Sequence, residues 1–267
     1  MTKRVLRVAW QSIKEQKKAF FGWGIGVLAL VLITVLFYPS IKGQESFNDI
    51  TKNMPDAVKA LMGGEDLVSP VGYINSQLFQ SMLPALFLIF AIGRGTEWIA
   101  GEEKKGILEM LLANPVSRSR VVFERSAALA VSVALLGAVL FVALAGGARL
   151  VSLDIGIYEL LSACLSVVLL GIAFGEIGLL LGAFSGRKGF SSGIAAGIAV
   201  AGFLIATLAP VVDVLEAFER FSPFYYYLNA NPLSNGLDPL HAVVLIAIAL
   251  VATAAAAAGF ERRDLAT

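Results

Sequence analysis

Few side chains in this sequence are suited to chemistry, and most of them crowd into one stretch. Residues 94–126 read RGTEWIAGEEKKGILEMLLANPVSRSRVVFERS, between two long apolar runs. Glu102 and Glu103, followed by Lys104 and Lys105, offer charge capture in water, not bond-making. Glu176 is the one acid well inside an apolar run. It stands eight residues before Phe184, roughly 12 Å along a helix. A carboxylate at that depth is costly unless paired, wetted or protonated. It suits a substrate contact or a proton-linked step, and equally a structural hydrogen bond to a neighbouring serine or backbone group. His241 is the only histidine and Cys164 the only cysteine. The first reads as an interfacial side chain and the second as a small buried hydrophobe; neither has a companion for a metal site or an intrachain disulfide. The sequence has no G-x-x-x-x-G-K-[ST] phosphate loop, so the protein is not expected to be an enzyme or to bind a nucleotide.

The elements that must position these residues are membrane helices. Apolar residues make up 57% of the protein and charged ones only 15%, against about 25% charged in soluble domains. Mean hydropathy is +0.78. Six apolar runs, 19–38, 73–93, 127–148, 160–184, 190–212 and 239–260, each approach the roughly 20 residues that cross a bilayer. The fold class expected is therefore an all-α polytopic membrane protein, in one domain over 1–267. The second run is the weakest, since Gln77, Gln80 and Ser81 interrupt its start and Pro84 lies inside it; a kinked or late-starting helix is expected there.

Sixteen of the 21 lysines and arginines fall on one side of these runs: before the first, within 94–126, at Arg187 and Lys188, and at Arg262 and Arg263. The positive-inside rule then places both termini and the 94–126 segment in the cytoplasm, and an even number of spans agrees. The expected location is the plasma membrane of a prokaryote. A net charge of +1 leaves no footprint for nucleic acid. Residues 1–18 place Leu6, Trp10 and Ile13 on one helical face beside Arg4, Arg7, Lys14 and Lys18, a basic amphipathic helix for anionic lipid. Two external segments, 39–72 and 213–238, complete the layout. In the first, Asp56 is placed to cap a short helix through Met62, ended by Gly63 and Gly64. In the second, Val214, Leu215, Phe218 and Phe221 recur at helical spacing before Tyr225, Tyr226 and Tyr227.

From Glu97 to Ala113 the pattern is mostly helical. Trp98, Leu108, Leu111 and Leu112 form an apolar side, and Glu102 to Lys105 a charged side free for a partner. Gly101 and Gly106 weaken the helix by about 1 kcal/mol each, or mark a bend or a close backbone approach. Asn114-Pro115 stops it, and Ser117 is placed to cap a helix running through Val121 and Val122 into the third span. The outcome is an elbow beneath the second and third spans.

At these residues the sequence resembles the ABC-2 type permeases, the membrane subunits of ATP-binding-cassette transporters. Their pattern, I-A-x-E-x-x-x-G-[TI]-L-E-x-L-L-x-x-P-V-S-R, is matched by Ile99, Ala100, Glu102, Gly106, Ile107, Leu108, Glu109, Leu111, Leu112, Pro115, Val116, Ser117 and Arg118. Ile107 replaces the familiar threonine. The resemblance implies two permease chains, identical or related, that form a path for a hydrophobic or amphipathic substrate. It implies a separate cytoplasmic ATPase subunit that binds ATP and Mg and docks on the elbow through Gly101, Glu102, Glu103, Gly106, Leu108, Leu111, Leu112, Pro115 and Arg118. Export follows the family's tendency. An ion-coupled carrier and a non-transport membrane enzyme are the competing functions; each needs more intramembrane polar or interfacial catalytic residues than this sequence supplies.

Small residues also recur within the spans. Gly171, Gly175, Gly178 and Gly182 make one smooth face of the fourth, and Gly193 and Gly197, with Ala201, another on the fifth. In lipid, close packing must replace the hydrophobic drive. A short loop joins the two spans, so a tight contact between them is expected, with contact to a second protomer as the alternative.

Overall fold

A computed structural model describes residues 17–44, 51, 54–64, 66–112 and 116–263, with only the backbone for Lys17, Lys18 and Leu112. The amphipathic helix expected over 1–18 lies almost wholly outside these residues, and so does Pro115. Every regular element described is helical. Six helices are long and apolar enough to cross a membrane, and the molecule is a multi-pass membrane protein.

Helix α1 (Lys17–Ile41) is peripheral. Only Val27, Val31, Val35 and Tyr38, spaced along one face, are fully buried. Phe20, Trp23 and Leu30 pack along the edge of that face, while Phe21, Ile25, Ile33 and Phe37 face outward, as suits a helix that meets lipid on its other sides. Helix α2 (Asp56–Met62) is the short one expected before the second span. Pro55, not Asp56, takes the N-cap position, and Gly63 ends the helix at φ +87°, a left-handed geometry that favours glycine.

Helix α3 (Pro70–Lys104) is the second span. It is continuous but irregular, with wider π turns over Asn75–Phe79 and Glu97–Gly101. The expected kink comes at Gln80 and Ser81, where a regular helix resumes at Met82. Pro84 falls in the first turn of that resumed stretch, where an N–H would have no partner and proline costs little. After Gly106, at φ +69°, helix α4 (Ile107–Leu112) turns away. The long helix expected over 97–113 is thus two helices hinged at a glycine.

Helix α5 (Arg118–Leu150) begins two turns before its apolar run, since Ser117, Arg118, Arg120, Glu124 and Arg125 continue the helix as a polar stalk. Ser117 occupies the N-cap position but its side chain makes no cap bond. Helix α6 (Ile157–Ser185) is the most buried span and packs on α3, α5 and, further along, on α7 (Lys188–Leu208) and α11 (Pro239–Arg262). Short helices α8 (Asp213–Glu219), α9 (Pro223–Leu228) and α10 (Pro232–Asn235) close the end away from the elbow. There Tyr227 donates to the Phe79 carbonyl at 2.7 Å, and burial pushes its phenol well above the ordinary value. Ser222 donates to the Gly202 carbonyl at 2.8 Å. Asp238 caps α11 by accepting from the Leu240 and His241 amides.

The glycine face of α6 meets α3, and at Gly171 and Gly175 also Val133 and Leu129 of α5, but not α7. A Cβ on Gly175 would touch Ala91, one on Gly178 would touch Ile92 and Thr96, and one on Gly182 would touch Ala100. Positions advance together on both helices, so they run parallel, as second and fourth crossings must. The buried line of α7 is instead Ser191, Ala195, Ala199 and Gly202. Gly193 and Gly197 lie two residues off that line, about 200° around the helix, where an added Cβ would meet nothing within 4 Å. The expected contact between the two stripes is therefore replaced by an α3–α6 crossing, with the α7 stripe on the surface.

Candidate functional site

Around Gly106 the elbow is tied to the ends of three spans. Glu102 and Glu103 belong to the last turn of α3 and both are buried, at 8% exposure. Glu102 accepts from Arg125 of α5 at 2.7 Å. Glu103 pairs with Arg263, just beyond α11. Arg263 also donates to the carbonyls of Ala183 at 2.9 Å and Gly182 at 3.4 Å. The Gly182 carbonyl also accepts from the Gly186 amide at 3.0 Å, whereas Ala183 is among the last four residues of α6, whose carbonyls lack partners within the helix, so the Arg263 guanidinium caps the end of that helix there. Arg118 donates to the Phe260 carbonyl at 3.3 Å and to that of Arg263, with its guanidinium 5.7 Å from the Phe260 ring centre. Ser119 bonds Glu261. Gly186 at φ +65° leaves the room that Arg263 fills, since a Cβ there would sit 2.5 Å from its guanidinium.

This corrects the expectation that Glu102 and Glu103 present themselves to a partner. The turn and helix carry both inward, where Arg125 and Arg263 neutralise them. Leu108 is fully buried with Ile99, Val121, Val122 and Phe260, and Leu111 packs against that cluster. Gly101 sits where a Cβ would meet the Glu97 carboxylate at 2.6 Å. The outward face is made by Lys104, Lys105, Ile107, Glu109 and Met110, with Met110 68% exposed. Arg263→Ala should lower stability by about 1–3 kcal/mol by leaving Glu103 and the Ala183 carbonyl unpaired; the melting temperature of the purified protein checks this.

Glu97 fastens the elbow sideways. It accepts from Lys188, at the start of α7, at 2.6 Å, and from Lys105. That second hydrogen bond, with the charge behind it, lifts the Lys105 ammonium above its ordinary value. A cleft of about 690 Å³ opens beside it, lined by Glu103, Lys104, Gly106, Glu109, Arg187 and Lys188.

Between α3 and α7 runs a groove of about 700 Å³, lined by Pro84, Leu88, Ile92, Ala196, Ala199 and Phe203, with Thr96, Ser192 and Lys188 toward the elbow. Ser81 lines it as well. Gln80 and Thr207 instead line a separate cavity of about 240 Å³ at the far end, and Ser191 is engaged with Ser185 at 2.7 Å. His241 lies against Tyr225 and Tyr226, with ring centres 5.8 Å and 5.4 Å apart. Cys164 is buried in the core.

Glu176, at 1% exposure, sits where α5, α6 and α11 meet. Ser126 Oγ lies 2.7 Å from its Oε1 and Thr253 Oγ1 2.9 Å from its Oε2. Sequence reasoning did not single out Ser126, Thr253, Arg125 or Arg263 as partners. One signal was there to find: Thr253 is the sole polar residue between His241 and Glu261, and a buried acid needs such a donor.

A family model described as the multidrug efflux system permease Rv1217c, C-terminal domain, matches residues 8–261. No curated protein matches the sequence.

Proposed function

The chain belongs to the family of the multidrug efflux system permease Rv1217c, C-terminal domain, and from that premise we propose that it is the membrane subunit of an ATP-driven exporter of the ABC-2 type. Its basic end, elbow included, lies in the cytoplasm by the positive-inside rule. A separate ATPase subunit binds ATP and Mg and docks on the elbow; the permease itself contributes no nucleotide site. Two permease chains, identical or related, form the path in the plasma membrane. The substrate is a small hydrophobic or amphipathic molecule, for which the groove between α3 and α7 supplies apolar walls with Ser192 and Lys188 at the cytoplasmic mouth.

One observation carries the proposal. The elbow exposes an apolar pair, Ile107 and Met110, at the charged end, while its buried side is locked by Glu102 to α5 and by Glu103 to Arg263 beside α6 and α11. A push on the exposed face therefore reaches three spans through charge-assisted bonds and not through a loose loop. Large apolar side chains exposed amid charge mark a contact surface.

The test is Ile107→Asp and Met110→Asp in the tagged full-length protein, recovered from its native membranes. Both variants are expected to lose the co-purifying ATPase while keeping the melting temperature and elution of the unaltered protein. An ATPase retained at full yield by both would overturn the docking face.

A further inference from the structure

Three short contacts meet at Glu176 and Thr253, and they need more hydrogens than the two hydroxyls own. Ser126 Oγ lies 2.7 Å from Glu176 Oε1. Thr253 Oγ1 lies 2.9 Å from Oε2 and also 2.9 Å from the carbonyl oxygen of Ala249, one turn back on α11. All three are hydrogen-bond lengths. Serine and threonine hydroxyls carry one hydrogen each, whereas a carboxylate and a carbonyl carry none. With Glu176 ionised, two hydrogens must serve three contacts, and Thr253 leaves either the carboxylate or Ala249 facing a lone pair. With a proton on Oε2 the count closes. The carboxyl donates to Thr253, Thr253 donates to Ala249, and Ser126 donates to Oε1. The longer approach of the two hydroxyls, 3.1 Å, then needs no hydrogen.

No counter-charge competes with this arrangement among the described residues. From α5 the neighbouring cation is Arg125, engaged by Glu102 of α3. Arg94 of α3 lies over the Phe90 ring, and Glu97 is held by Lys105 and by Lys188 of α7. Along α11, no titratable residue occurs between His241 and Glu261. At the far end of α6, Tyr227 of α9 is bonded to Phe79. An ionised Glu176, at 1% exposure, would be a buried charge with no cation beside it, which is the costlier alternative.

We propose that Glu176 is a proton-binding site, occupied in the resting protein, and that its proton is the ligand that ties α5, α6 and α11 together at this depth. Movement of α11 away from α6 breaks the bond to Thr253 and opens the carboxyl. The proton then stays on the acid, or leaves where water enters. Spans three, four and six are thereby linked by a bond that water and alkali can cut, independently of the elbow.

Infrared spectroscopy of the full-length protein in lipid nanodiscs at neutral pH tests this. The difference between the unaltered protein and Glu176→Gln is expected to contain the carbonyl stretch of a protonated carboxylic acid. Ser126→Ala, which removes only the donor to Oε1, is expected to move that band to higher wavenumber without removing it. If the Glu176 substitution removes a carboxylate band instead, or if the acid band stays put in Ser126→Ala, the assignment falls. The Ser126 arm stands alone should the Glu176 variant fold poorly. Neither measurement involves an ATPase or transport, so a negative result here leaves the export proposal standing.

Discussion

Arg125→Ala is expected to cost about 3–5 kcal/mol of stability, since it leaves a buried carboxylate without its cation. Arg125 is 4% exposed and its guanidinium meets Glu102 at 2.7 Å, at the junction of α3 and α5. Truncation removes the charge, the bond and the packed methylenes together. Glu102 cannot turn to water, because Trp98, Ile99 and Ala100 precede it in the same buried turn. Replacing both partners by methionine should recover most of the loss, because a well-packed apolar pair needs no desolvation of charge. The fraction of monodisperse protein surviving a heat step, followed across both singles and the double variant, measures the coupling. A single Arg125→Ala variant as heat-resistant as the unaltered protein would show the pair to be idle. The same logic changes how Glu102→Ala is read: lost ATPase capture in that variant would report a damaged elbow, not a lost contact.

The spans were legible in the sequence because bilayer thickness imposes a length and an apolar composition on each. Even the stalk of α5 was, since Ser117 and the valines Val121 and Val122 continued a helical pattern into the apolar run. The elbow was legible as an amphipathic segment but not as a hinge. Only the positive φ of Gly106 shows that two helices meet there, and glycine in sequence signals a bend and a weak helix alike. Partners were the least legible. Glu103 and Arg263 are 160 residues apart, and charge spacing along the sequence does not say which acid turns inward. Glu102 to Lys105 read as one charged side; the π turn at Glu97–Gly101 advances the helix past its ordinary register, so the acids face the bundle and the lysines face outward.

A similar ambiguity attached to the glycine stripes. A row of small residues says that something comes close, not what comes close. Loop length favoured α7 as the neighbour of α6, yet a central helix has several neighbours and only one of them need meet its smooth face. The residues of α3 decide the matter: Ala91, Gly95 and Ala100 are small at the positions facing Gly175 and Gly182, so the two backbones can approach there.

Gly95→Leu should therefore be the most damaging substitution of a glycine at this crossing. A Cβ on Gly95 would lie 2.1 Å from the Gly175 carbonyl oxygen and 2.9 Å from the Leu179 nitrogen. These are backbone atoms of the central helix, with no flexible group to swing aside. Even Gly95→Ala should cost about 1–3 kcal/mol through overpacking, and leucine should prevent the native crossing. Since Thr96, Glu97 and Trp98 follow directly, a displaced α3 would also shift Glu102 away from Arg125 and the elbow with it. Gly193→Leu is the control, because a Cβ there meets nothing within 4 Å and should leave the melting temperature of the isolated protein almost unchanged. Thermal unfolding of both variants in the same detergent separates the cases. Equal stability for Gly95→Leu and Gly193→Leu would mean that α3 and α6 do not approach at this point, and that the elbow is not carried by their contact.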